Sequence, residues 1–489
     1  MSTLDELLDA IAAAPEGPQI AAFFDYDGTV IDNFSAAAFY RHRIRHFEIG
    51  PAELAKTLLG AARGIDSAED FEEFLKMALG AWRDRPEEEV SAIGERLFKH
   101  EIAGRMHWEA WRLVEAHHAM GHRVVLASSA TRFQVEPMAR ELAADHVLCT
   151  PVEVIEGIVT GRTAGPVLWG EGKARAARAL AAEHDLDMDA CFAYSNGAED
   201  VPFLESAGHP VCIDPDSALV RVAHERHWPI LRCAPRPGTP GPIDVARTVG
   251  FYGAMAAAGY AGAAIGLLRR SRKTMVNVTG AVGSDLSLAV AGIDVDIVAG
   301  TEHLWSARPC VFVFNHQSKL DTIVVAKLLR TGFTGVAKKE AANVPGFGQF
   351  FRLAGVAFID RSDPAKAREA LEPAIEKLRA GTSLVLAPEG TRSATPRLGP
   401  FKKGAFHIAM QAQAPMVPLV LRNVGEVMWR GSQTVRPGTI EVCVLPPVDT
   451  SDWQRETIAD HVAQVRGMFL DTLANWPTDP DRRPQEVAR

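Results

Sequence analysis

Residues Phe314–Asp321 read FNHQSKLD, directly after the apolar run Val311–Phe314, and place His316 five positions before Asp321. A short apolar run followed by polar residues has the pattern of a buried strand and its exit turn. On a regular helix five residues rotate by about 140°, so the two side chains cannot share a helix face. The spacing therefore predicts a strand, a turn carrying His316, and a helix whose first turn holds Asp321 with its carboxylate pointing back. Ser318 is the expected N-cap of that helix. A neutral imidazole can take a proton near pH 7, and the aspartate would orient the ring and stabilise the imidazolium. Further on, Ala387–Ser393 (APEGTRS) adds an acid, a glycine and an arginine.

Outward from this octet the pattern is α/β. Strand-like runs occur at 310–314, 356–359, 384–387, 417–421 and 441–445. One helix is well signposted, with Ser362 and Asp363 as N-cap candidates, Pro364 in its first turn and Gly381 past its end. Forming an ester from an alcohol and a thioester needs a base for the hydroxyl and stabilisation of the oxyanion; an acceptor bearing phosphate also needs cations. Arginine pairs bidentately with phosphate, so Arg361 and Arg392 have suitable chemistry.

In these residues the chain resembles the 1-acylglycerol-3-phosphate acyltransferases, through four blocks in order over about residues 295–450. Asn315-His316 with Asp321 matches the first block and implies the base and its partner. Residues 355–361 (GVAFIDR) resemble the second, with Arg361, and Lys338 in AKKE matches a lysine associated with acceptor phosphate. Pro388–Ser393 (PEGTRS) resembles the third, which implies acceptor binding by Glu389, Gly390, Thr391 and Arg392. Val417-Pro418-Leu419 matches the fourth, on the acyl-donor side. Ala387 stands where the family commonly has Phe, a change of packing more than of chemistry. The resemblance implies acyl transfer from acyl-CoA or acyl-carrier protein to lysophosphatidic acid, giving phosphatidic acid for phospholipid biosynthesis, with no cofactor in this domain.

Residues 18–230 also alternate strands and helices, which implies a parallel, Rossmann-like sheet with loops converging at one edge. Residues 34–110 interrupt the alternation with mostly helical sequence, an inserted cap. The apolar run 20–24 ends at Asp25–Thr29 (DYDGT), so Asp25 and Asp27 project from one loop. One carboxylate can attack phosphorus while the other serves as acid and base. Ser128, after the run 123–127, can hydrogen-bond phosphoryl oxygens, and Lys173 can neutralise their charge. Asn196 and Asp200, after the run 190–194, are placed to hold Mg²⁺, which prefers oxygen ligands. This half resembles the haloacid dehalogenase-like hydrolases, in particular the subclass that includes phosphoserine phosphatase. The resemblance implies Asp25 as nucleophile, Asp27 as acid/base, Ser128 and Lys173 as phosphate ligands, and Mg²⁺ held with Asp25, Asp27, Asn196 and Asp200. Asn196 is a departure, because the family normally has Asp there. Two readings follow: a Mg²⁺-dependent phosphomonoesterase, or a catalytically degenerate regulatory or scaffolding module.

Between the two halves, Cys233–Asp244 (CAPRPGTPGPID) is a linker by composition, and residues 248–268 carry no charge before Arg269, Arg270, Arg272 and Lys273. The length suits a membrane span. The Ala/Gly content also suits a helix packed inside protein, and the basic flank favours anionic lipid at a cytoplasmic face. The expected layout is 1–232 hydrolase, 233–247 linker, 248–294 membrane-associated helical segment, 295–475 acyltransferase and 476–489 polar tail. A net charge of −9 argues against general nucleic-acid binding. The acidic opening MSTLDELLDAIAAAPEG shows no secretory pattern. Six cysteines without a C-x-x-C pair read as free thiols, most of them buried. His107, His117, His118 and His122 read as exposed or capping helix positions rather than a metal cluster.

Overall fold

The computed structural model describes residues 2–50, 67–233, 240–338, 356–359 and 372–477, with Asn343, Gly348 and Arg352. The chain divides into two compact units, Met1–Gly238 and Thr239–Arg489.

The first unit is built on β1 (Ala21–Asp25), β2 (Arg123–Thr131), β3 (His146–Thr150), a hairpin of β4 (Val152–Ile155) and β5 (Ile158–Thr163), then β6 (Phe192–Ser195), β7 (His209–Ile213) and β8 (Ile230–Leu231). The main sheet has the order β3-β2-β1-β6-β7-β8 and is parallel throughout. All five residues of β1 are buried, as a parallel strand covered on both faces requires. Asp25, Ser128 and Asn196 are thereby delivered by three adjacent strands to the same carboxyl edge. The cap is helical at Ala36–Arg45, Ala68–Gly80 and Glu87–Leu97. Sequence periodicity did not anticipate the β4–β5 hairpin. Its turn is Glu156-Gly157, both left-handed at φ 50° and 78°, the geometry whose twist matches a two-residue hairpin. β2 also runs beyond the expected 123–127 to Thr131, with its register to β3 shifting between Ser128 and Thr131.

The second unit contains β9 (Ile293–Ala299), β10 (Val311–Phe314), β11 (Phe333–Lys338), β12 (Ala357–Ile359), β13 (Ser383–Leu386), β14 (Met416–Arg422) and β15 (Gly438–Val444). Their order is β12-β11-β13-β10-β14-β15-β9. Only the β14–β15 pair is antiparallel among the described strands of this sheet. β10 is central and buried on both faces: Val311 and Val313 join one apolar cluster, Phe312 and Phe314 the other. β9 and β11 were not anticipated, and β9 begins before the expected boundary at 295. Of the helix expected after Pro364, the stretch Glu372–Arg379 is described, and Gly381 follows it at φ 90°.

The uncharged segment 248–268 lies within one helix, Pro242–Leu268, folded back on Arg272–Ala291. The helix starts earlier than 248 because Pro242 stands at the first helical position and Asp244 accepts the Gly241 N–H at 3.3 Å. Glycines allow the close approach: a Cβ at Gly262 would lie 2.1 Å from Thr279 Oγ1, and one at Gly266 2.5 Å from Met275 Cβ. Phe251 and Leu288 tie the pair to the β10 core. Most of the apolar surface of the first helix faces outward, only 28% of its most apolar window being buried. Tyr260, Leu267 and Leu268 are 80%, 73% and 86% exposed.

Candidate active sites

In the second unit the helix Asp321–Leu329 begins at Asp321 itself. The carboxylate turns back into the preceding loop, where Oδ2 accepts from His316 Nδ1 at 2.7 Å, Gln317 N at 2.8 Å and Ser318 N at 2.9 Å. A carboxylate only accepts, so Nδ1 carries the proton and Nε2 of the neutral ring holds the free lone pair. Asp321 is fully buried, whereas the His316 side chain is 23% exposed. Ser318 is not the N-cap. Its hydroxyl donates to Met428 O at 2.5 Å and accepts Leu320 N, because Asp321 already takes the turn's N–H groups.

The PEGTRS loop is bound to the histidine turn by Glu389. Its Oε1 accepts His316 N at 2.7 Å, and its Oε2 accepts Ser393 Oγ and Gly399 N at 2.7 and 2.8 Å. Ser393 N closes the loop on His316 O. Both oxygens are thus engaged with protein and the side chain is buried, an arrangement of a brace rather than the acceptor contact that the resemblance implied. Burial nonetheless holds its carboxyl above the ordinary range. Gly390 takes φ 72° in the turn, Thr391 is exposed, and Arg392 donates to Arg430 O at 2.8 Å. Burial lowers Arg392 and Lys319, and each lies in range of further charge, Asp321 for the former and Arg392 for the latter. Lys319 is a cation missed from the sequence although it stands inside the opening octet. Lys338 ends β11, but its side chain and all of Arg361 lie outside the described residues.

In the first unit Lys173 Nζ donates to Asp25 Oδ1 at 2.8 Å and to Asp200 Oδ2 at 2.5 Å. Ser195 Oγ also donates to Asp200 Oδ2, and Asp200 Oδ1 is buried without a partner. Burial pushes the Asp25 carboxyl up, against the pull of Lys173. Burial alone would lower Lys173, but Asp200 and Asp25 outweigh it and raise it. Asp27 accepts Ser35 N at 2.6 Å and Ser35 Oγ at 3.1 Å, and burial lifts its carboxyl to about 7. Gln134 Nε2 supports Ser35 from the helix Arg132–Leu142. Ser128 is buried, its Oγ accepting Ala130 N.

Asn196 lies over Gly28, where φ is 85° and a Cβ would stand 2.1 Å from Asn196 Nδ2. With its nitrogen turned to the nucleophile loop, the amide donates to Asp25 Oδ2, Thr29 Oγ1 and Asp27 O at 3.1–3.3 Å. With its oxygen turned there, it accepts Thr29 Oγ1 at 3.2 Å. Oxygens of Asp25 and Asp27 therefore converge on this side chain, a donor set suited to a hard cation. The Glu199 carboxylate, also missed, folds over Gly197, where a Cβ would meet it at 2.3 Å.

The histidines of the helix Trp108–Ala119 are a correction. His118 is exposed and His107 stands at the N-cap without a side-chain capping bond, but His107, His117 and His122 are all buried. His122 Nε2 must donate to Pro15 O (2.8 Å), so its Nδ1 accepts from His117 Nδ1 (2.9 Å), and His117 Nε2 accepts from Tyr194 Oη (2.8 Å).

Residues 22–205 match the family model described as haloacid dehalogenase-like hydrolase, and residues 297–422 the one described as acyltransferase. A 1-acyl-sn-glycerol-3-phosphate acyltransferase of Limnanthes alba is 37% identical over 198 residues, 40% of this chain and 69% of that protein. A phosphoserine phosphatase of Mycobacterium tuberculosis is 33% identical over 262 residues, 52% of this chain and 82% of that protein. The chain belongs to both families. Among solved structures, the 1-acyl-sn-glycerophosphate acyltransferase of Thermotoga maritima is 25% identical, with a TM-score of 0.41, covering 48% of this chain and 98% of that one. The hydrolase match falls within the first unit and the acyltransferase match within the second.

Proposed function

We propose that the acyltransferase half moves an acyl group from acyl-CoA or acyl-carrier protein to the free hydroxyl of 1-acylglycerol 3-phosphate, forming phosphatidic acid. The observation that carries this is the 2.7 Å contact between His316 Nδ1 and Asp321 Oδ2, which leaves Nε2 as the base. Nε2 takes the hydroxyl proton, the alkoxide oxygen attacks the thioester carbonyl, and the tetrahedral intermediate expels the thiolate, which receives the proton back from the imidazolium. Asp321 stabilises the imidazolium meanwhile. Arg392, Lys319, Lys338 and Arg361 supply cations for the acceptor phosphate, while Glu389 positions the histidine turn. The outward apolar face of Pro242–Leu268 and the basic residues after it support association with the cytoplasmic face of a membrane. Labelled acyl donor and lysophosphatidic acid test the reading: His316→Ala protein that still forms phosphatidic acid would sink it. Unchanged membrane partitioning after deletion of residues 248–273 would remove the membrane role.

For the hydrolase half the reading is phosphomonoester hydrolysis, on phosphoserine, a related small molecule or phosphatidic acid. Asp25 attacks phosphorus and Asp27 protonates the leaving oxygen, then deprotonates the water that cleaves the aspartyl-phosphate. Ser128 and Lys173 bind the phosphoryl oxygens. Asp25, the Asp27 carbonyl and Asn196, with Asp200 behind them, would hold Mg²⁺, which supplies charge neutralisation to the phosphoryl group when bound. The amide of Asn196 favours a second reading, a non-catalytic module, because its nitrogen can satisfy the same oxygens by itself. Turnover of phosphomonoesters that is lost on Asp25→Asn supports the first reading; absence of turnover supports the second.

A further inference from the structure

We propose that His107, Asp214 and Cys233 form a binding site for a zinc-class metal ion at the carboxyl edge of the hydrolase sheet. It shares no residue with the Asp25 centre. Each residue offers one ligand atom, and these atoms lie within 4.8 Å of one another, the one such group found among the described residues.

The fold gathers them from three distant segments. β7 and β8 are parallel neighbours, with Ile213 paired to Leu231. Asp214 leaves β7 in a left-handed turn at φ 42°, and its N–H donates to Leu231 O. Cys233, two residues past β8, donates its N–H to the Asp214 carboxylate at 3.2 Å. His107 opens the helix Trp108–Ala119 and presents Nε2 4.0 Å from Asp214 Oδ2, with its side chain 5% exposed. Arg232 approaches the other oxygen, Oδ1, at 3.9 Å, so Oδ2 is the one that faces the imidazole.

Zinc binds nitrogen and oxygen at about 2.0–2.2 Å and thiolate sulfur at about 2.3 Å, which sets its ligand atoms roughly 3.3–3.7 Å apart in a tetrahedron. From separations of up to 4.8 Å, the three donors need to draw in by roughly 1.5 Å at most. Imidazole, carboxylate and thiolate form a mixed, borderline-soft set, which selects Zn²⁺ or Co²⁺ over the hard, all-oxygen preference of Mg²⁺. An ion here ties the ends of β7 and β8 to His107, whose N–H donates to Val30 O in the loop after Asp25.

The test uses the full-length protein, stripped with chelator and titrated with Co²⁺ in excess Mg²⁺. One equivalent should bind with a thiolate-to-cobalt charge-transfer absorption that Zn²⁺ displaces. Cys233→Ser should abolish that absorption, and Asp214→Asn, which keeps an acceptor for the Cys233 N–H, should weaken binding at least tenfold. Asp25→Asn should leave both unchanged. Zn²⁺ should also raise the thermal transition of the parent protein and not that of Cys233→Ser. An absent thiolate band, or one that survives Cys233→Ser, overturns the proposal.

Discussion

The side chain of Asn315 makes both hydrogen bonds to the backbone of Leu421, donating to its carbonyl at 2.8 Å and accepting its N–H at 2.7 Å. This pins the end of β10, just before His316, to β14. Asn315→Leu leaves a buried N–H and a buried carbonyl unpaired, at about 1–3 kcal/mol each. The acyltransferase half should unfold at lower denaturant, and acyl transfer should fall with it. Equilibrium unfolding of the full chain, followed by fluorescence, checks this; an unchanged transition refutes the pin.

Asp321→Asn conserves shape but removes the charge that faces the imidazolium. One amide position must also fill the place of Oδ1, which has no partner. The acyl-transfer kcat should drop roughly 10²–10⁴-fold, the range for a disabled general base. Steady-state kinetics with lysophosphatidic acid decides, and a loss confined to KM would point to acceptor binding instead.

Burial, then His122 and His118, hold His117 well below the ordinary histidine value of 6.5. Below about pH 6.5 the unfolded chain takes a proton at this residue and the folded one does not. Stability of the hydrolase half is therefore intact above that pH and lost as pH falls, by up to about 1.4 kcal/mol per unit from this group. His117→Gln should flatten that slope between pH 6.5 and 5 in thermal melts, at some cost at neutral pH.

Asn196→Asp replaces a neutral amide with a carboxylate at the convergence of Asp25 and Asp27. Mg²⁺ affinity should rise at least tenfold by calorimetry, with phosphomonoesterase activity rising if the parent is active. No gain in Mg²⁺ binding would favour the non-catalytic reading.

Gly262→Leu places its Cβ 2.1 Å from Thr279 Oγ1 across the helix pair. The helices must part, so the thermal transition of the acyltransferase half should fall by several degrees. Gly253→Leu, where nothing lies within 4 Å of an added Cβ, is the control.

Strand–turn–helix spacing around FNHQSKLD and the apolar run ahead of DYDGT were enough to put both loops at strand ends, because local periodicity and a carboxylate's reach are short-range properties. The same locality explains the misses. Ser318 looks like an N-cap until Asp321 is seen to take the loop's N–H groups. Glu389 looks like a ligand for substrate until its partners at His316, Ser393 and Gly399 are in place. The β4–β5 hairpin rests on two left-handed residues, one of them a glutamate, which gives no turn signal of its own.

The amino-acid sequence by itself determined the two α/β halves, the order of their signature residues and the uncharged helix between them. Those follow from residue type and spacing along the chain. Only the tertiary structure decided which side chains meet. It brought Lys173 between Asp25 and Asp200, made His117 a buried neutral link, and gathered His107, Asp214 and Cys233 at one edge. Strand order is the physical reason: a parallel sheet puts loops distant in sequence side by side, and no local pattern encodes which loops those are.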